Sequence, residues 1–231
     1  MSSSEPKLSI PLDYKILYSK RKTIELRFEN ANMLLIKAPK NTNPQGIADI
    51  LSRKADWISK TRLKLSQRWP VPKMAADERI LLLGEWRELE INPVGHKKIS
   101  LSESGKIVIS KDLAMQGAQV LIPFYRQITH HWVHHFADLY SSKWQLTYKS
   151  IRINSAKTRW GSCGANNTLN FSWRLAMTPL LSIEYVVAHE LAHIKHHNHS
   201  KAFWQFLEQM MPHYKQGQTW LKENGNKLPQ I

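Results

Sequence analysis

His189-Glu190-Leu191-Ala192-His193, with His196, His197 and His199 close behind it, is the part of the chain that most constrains the rest. Two histidines four positions apart on a helix share a face, with roughly 5–6 Å between their Cβ atoms, near enough to hold one ion. Imidazole nitrogen suits zinc, and a catalytic zinc keeps three protein ligands and one water. Glu190 follows the first histidine directly, where a carboxylate can take a proton from a metal-acidified water. H-E-x-x-H also arises by chance, so the surrounding sequence has to support it.

The surroundings predict a helix. Thr178-Pro179 reads as an N-cap followed by proline in the first turn. Ile183, Val187, Leu191 and Ile194 recur at helical spacing, and His189 and His193 lie off that stripe. The polar run Lys195-His196-His197-Asn198 ends the helix, and Ser200 caps a second one reaching about Met211 before Pro212. His199 falls at the fold-back junction, six residues after His193, where it can reach a shared metal. His196, His197 and, from the next helix, Glu208 compete for that third position. The bland alternative is a solvated, histidine-rich helix end that complements the helix dipole.

With 231 residues and 42% hydrophobic content, including nine Trp, the chain can build a real core. No apolar run approaches 18 residues and no signal-peptide pattern is present, so the expectation is a soluble, cytoplasmic protein without a membrane span. The single Cys163 excludes an internal disulfide and fits a reducing compartment. Net charge is +15, concentrated at the two ends: residues 1–70 hold 14 basic and 6 acidic side chains, and 148–231 hold 10 and 4. Such a field attracts polyanions, nucleic acid included, but it equally serves solubility.

In chain order, residues 1–12 read as a flexible tail. Strands are expected at 14–19, 23–28 and 33–38, with a hairpin connection at Glu29-Asn30-Ala31-Asn32. Asn43-Pro44 opens one long helix to about Trp69, buried along Ile47, Leu51, Ala55, Ile58 and Leu65 and basic elsewhere through Arg53, Lys54, Lys60, Arg62, Lys64 and Arg68. A strand meander follows over 80–110, turning at Gly84, Pro93-Val94-Gly95 and Ser104-Gly105. A helical stretch runs from Asp112 to about Trp144, with Pro123 marking a kink or restart. It carries His131 and His135 at ligand spacing, with no carboxylate or cysteine to complete a site. Strands at 148–153 and 169–175 flank a loop over 156–167. That loop holds Lys157-Thr158-Arg159-Trp160-Gly161-Ser162-Cys163, in which Arg159 is a candidate to stabilise a developing oxyanion and Cys163 reads as a small buried thiol.

Four segments, Arg159-Trp160-Gly161-Ser162-Cys163, Leu169 to Leu175, His189 to His193 and His199 to Trp204, occur in the order found in the YgjP-like family of metal-dependent hydrolases, which this chain resembles over about residues 14–215. That family is related to the SprT-like and WLM zinc metallopeptidases. The resemblance implies an α+β fold with a zincin-like minimal metallopeptidase core, a small mixed sheet plus the active-site helix, preceded by a β-rich part with one long helix. The chain is expected to divide into a tail (1–12), a β-rich N-terminal part with the basic helix (13–110) and the metal-hydrolase core (111–231). By motif match it implies one Zn²⁺ per chain on His189, His193 and His199, with Glu190 as catalytic base. Gly164-Ala165 departs from the family's Ser-rich turn.

Three functions compete. The first is a zinc-dependent hydrolase of the metallopeptidase type acting on peptide or protein, with Glu190 as general base and Arg159, or behind it Arg174 or Tyr185, as transition-state donor. The second keeps the metal and takes an anionic small-molecule substrate, a nucleotide phosphoanhydride, as the charge and loop arginines would suit. The third is a nucleic-acid-associated protease or binding module using the basic helix as its contact. The oligomeric state is not encoded in any motif.

Overall fold

A computed structural model describes residues 12–93 and 99–231, and the chain divides after Trp69 into two units. The first unit is built on β3 (Met33–Pro39), whose Leu34, Leu35, Ile36 and Ala38 are all buried. β1 (Asp13–Ser19) pairs with it in parallel and β2 (Glu25–Asn30) antiparallel, giving the order β1-β3-β2. Leu12, assigned to the tail from sequence, is buried in this unit's core; residues 1–11 lie outside the described residues.

One long helix was expected after Asn43. Two form instead: α1 (Pro44–Arg53), capped by the Asn43 side chain accepting from the Gly46 N–H at 2.8 Å, and α2 (Ala55–Ser66). Lys54, at φ −104° and ψ 10°, breaks them apart. A straight helix over this span would extend about 34 Å, against about 23 Å for seven-residue strands. The bend keeps Ile58 on the same small core as Ile47 and Leu51.

In the second unit, β4 (Arg79–Leu82) and β5 (Glu85–Asn92) form a hairpin whose two turn residues, Leu83 (φ 51°) and Gly84 (φ 83°), both adopt positive φ. β6 (Ile99–Leu101) and β7 (Ile107–Ser110) complete the order β4-β5-β7-β6, with β5 and β7 parallel. This corrects the expected meander. Ile107 and Ile109 are fully buried and take the inner position, which sends the short, half-buried β6 to the edge. Val94, Gly95 and Lys98 lie outside the described residues. These strands fall in the second unit, Pro70–Ile231.

Next come α3 (Lys111–Ala114), a 3₁₀ turn at Ala118–Val120 and α4 (Leu121–Trp144). Gly117 at φ 82° interrupts the expected continuous stretch, and Pro123 sits in the first turn of α4, where a missing N–H costs nothing. β8 (Ser150–Asn154), β9 (Gly161–Cys163) and β10 (Thr168–Ser172) make a mixed sheet in the order β8-β10-β9. A 3₁₀ turn at Trp173–Met177 leads to α5 (Leu180–Lys195), α6 (Lys201–Met210) and α7 (Tyr214–Asn224).

α5 is the central helix of this unit. Ile183, Val187 and Leu191 are fully buried against Val133, Phe136, Ala137 and Tyr140 of α4 and against the sheet. Thr129 donates to the Trp173 carbonyl at 3.0 Å, and the Tyr140 hydroxyl donates to Glu184 at 2.6 Å. A Cβ on Gly217 of α7 would stand 2.5 Å from the Leu181 carbonyl oxygen, so only glycine permits this approach. At the start of α5, a Cβ on Gly84 would lie 2.6 Å from the Pro179 ring. The fold is α+β, a small mixed sheet backed by the helix that carries the histidines. No described helix is long and apolar enough to cross a membrane.

Candidate metal centre

One face of α5 aims His189 and His193 away from its buried stripe, as the spacing predicts. The helix ends at Lys195, and the chain turns back through His196 (φ −131°). Asn198 Oδ1 accepts from the Ser200 N–H at 3.2 Å, and Ser200 caps α6. This turn returns His199 to the other two. The candidate ligand atoms of His189, His193 and His199 all lie within 4.8 Å of one another. Phe203 of α6 packs against all three rings, with centroids 4.6–5.0 Å away. Glu208, the competing carboxylate, is exposed and outside the cluster, and His196 turns its ring toward Phe206.

The donor set fits a metal ion. The Nε2 atoms of His189 and His199 are 3.0 Å apart, close to the roughly 3.3 Å between nitrogen ligands of a tetrahedral zinc. His189 Nδ1 is buried with no protein partner, so the one proton of its neutral ring is best placed on Nε2, shared with His199. A cation on Nε2 requires that proton to move to Nδ1, the tautomer in which a neutral imidazole ligates. His193 donates from Nδ1 to the His196 carbonyl at 3.0 Å, which leaves Nε2 as its lone-pair nitrogen. Burial, then the neighbouring His193 and His199, lowers the His189 pKa to about 3. Burial also lowers His193. Both rings are therefore neutral near pH 7, the form that ligates.

Glu190 is 6% exposed and lies against β9. Burial raises its pKa to about 7, opposed by a hydrogen bond from the Cys163 backbone N–H and by the charge of Arg159. A Cβ on residue 161 would sit 2.7 Å from both Cγ and Oε1 of Glu190, so Gly161 is what lets the carboxylate touch the strand. β9 lies within 156–167, a stretch whose sequence leads one to expect a loop. Three residues, Gly-Ser-Cys, show no alternation to read.

The cleft above these groups has a volume of about 680 Å³ and is lined by β9, Gly164, Ala165, Arg159, Glu190 and the histidines, His197 included. Arg159 is exposed on its rim, while the adjacent Trp160 faces inward, its ring against Gly225, where a Cβ would come within 2.7 Å of it. The two fallback donors lie elsewhere. Arg174 is buried over the Trp173 ring, and its Nη1 donates to the carbonyls of Ser155 (3.2 Å) and Ala156 (3.3 Å). Tyr185 is buried edge-on to His189, its hydroxyl accepting from Gln218. Cys163 is half-buried in the cleft wall, and burial pushes its thiol pKa up. On α4, His131 and His135 both contact Trp132, and neither belongs to a group of three potential ligands among the described residues.

The family model described as "YgjP-like, metallopeptidase domain" matches residues 22–224. This chain belongs to the YgjP-like metallopeptidase family. Metal-dependent peptide hydrolysis is therefore the activity class of this YgjP-like protein. Among solved structures, the crystal structure of the metallopeptidase zymogen of Pyrococcus abyssi abylysin is similar at 18% identity and a TM-score of 0.37, over 42% of the YgjP-like chain and 98% of the other. No curated protein matches.

Proposed function

We propose that this protein is a zinc-dependent peptidase holding one zinc on His189, His193 and His199, with Glu190 as general base and an extended polypeptide as substrate. The observation that carries the reading is the convergence of three imidazoles, those of His189 and His193 held neutral by burial, beside a buried carboxylate, under the free edge of β9.

When bound, zinc would polarise the scissile carbonyl and acidify a water molecule. Glu190 takes the proton of the attacking water on a carboxylate oxygen and later delivers it to the leaving amine. Gly161 and the Cys163 N–H hold that carboxylate in place. Trp160 and Gly164 bond inward to β10, so by strand alternation the backbone groups of Gly161 and Cys163 face the free edge. The Gly161 N–H and C=O and the Cys163 C=O are the groups there for an extended guest chain. The Arg159 guanidinium, on the rim with no ion-pair partner among the described residues, stabilises the oxyanion that develops opposite the metal.

Metal analysis with a substrate panel tests this. One zinc per chain is expected, falling sharply in His189→Ala, His193→Ala and His199→Ala, with cleavage of unfolded protein and none of nucleoside triphosphates. Full zinc in His199→Ala, or turnover of the triphosphate arm alone, overturns the assignment.

A further inference from the structure

We propose that the α2 face around Trp57 binds single-stranded nucleic acid, a function separate from the peptidase site. Trp57 is 42% exposed, and its ring stands 6.0 Å from that of Phe28 on β2, which braces the indole while leaving part of it open. Lys60 and Lys64 follow one and two turns along the same helical face. Arg53 and Lys54 precede the helix, and Arg68 follows it. All five cations are exposed, and none forms an ion pair among the described residues; the pair in this unit joins Arg21 to Glu25. Asp56 is the one carboxylate between residues 50 and 76.

A merely solvated face accounts for the lysines but not for the indole set among them, which forgoes apolar burial. A membrane-lying helix needs a continuous apolar face, and the two exposed apolar side chains of α2, Trp57 and Leu63, lie about 120° apart around the helix, with Lys60, Thr61 and Lys64 around Trp57. A basic track with an open aromatic ring matches the chemistry of unpaired bases: phosphates meet the cations and one base stacks on the ring. A duplex offers no free base for that ring.

The test is fluorescence anisotropy of labelled single-stranded and duplex oligonucleotides with the full zinc-loaded protein, alongside co-sedimentation with phosphatidylserine vesicles. The single strand is expected to bind tightest, with log Kd depending on log salt at a slope of about 3, as for about four phosphates. Trp57→Ala should weaken that binding at least tenfold. The pair Lys60→Glu and Lys64→Glu, at exposed positions that leave the fold intact, should weaken it further, while peptide hydrolysis is unchanged in every variant. No binding of the single strand, undiminished binding by Trp57→Ala, equal affinity for duplex, or vesicle binding lost in the same variants would each overturn the proposal.

Discussion

Glu190 and Gly161 act as a pair in which one residue's lack of a side chain sets the position of the other's carboxylate. Gly161→Ala should keep zinc, by elemental analysis, and lower kcat at least a hundredfold, because Glu190 must swing off the strand. Glu190→Gln should also keep zinc while abolishing turnover, since an amide cannot accept the water's proton. The metal-free protein adds a stability test. Folding raises the Glu190 pKa from 4.5 to about 7, so between those values the native state binds more protons than the unfolded one, and stability falls as pH rises. Above pH 7 the buried charge costs on the order of 3 kcal/mol. Metal-free Glu190→Gln should therefore melt above metal-free wild type at pH 8, with the gap closing toward pH 4.5. An equal gap at both pH values would remove the buried charge as its cause.

At the scale of elements, the hairpin turn at Leu83-Gly84 abuts the start of the metal helix. Gly84→Ala meets both a positive φ and the Pro179 ring, and should destabilise the protein by about 2 kcal/mol or more in urea unfolding, with specific activity per folded molecule unchanged. Legibility in the sequence followed the strength of local signals. α5 and α6 could be read because their apolar stripes, the Ser200 cap and the Pro212 stop all agree. α7 escaped notice because Gly217 sits in its buried stripe between Tyr214 and Leu221, where helical periodicity leads one to expect a large apolar residue. The parallel pairing of β5 with β7 is a choice between distant partners that no local pattern encodes. Of the site, the shared face of His189 and His193 was legible from spacing, whereas spacing left His199 in competition with His196, His197 and Glu208, and the fold-back turn is what brings it to the other two. The role of Gly161 was not legible, because it depends on a contact with a helix about thirty positions away.

On the scale of the whole molecule, the cleft is assembled from segments far apart in the chain. The rim loop carrying Arg159 is anchored by Trp160 on Gly225, after α7, and from inside by Arg174. Gly225→Val should push the indole aside, leaving zinc content at one per chain while kcat/KM drops about tenfold or more. Wild-type turnover in that variant would show that the rim does not depend on this seat. The same contact orders events in time as the protein is made. His199, the last of the histidine trio, emerges 26 positions before Gly225. At about 5–20 residues per second, that leaves roughly one to five seconds in which a nascent chain has all three clustered histidines but nowhere to seat Trp160. The roughly tenfold loss expected of Gly225→Val is therefore also the handicap expected of a nascent chain until α7 has docked.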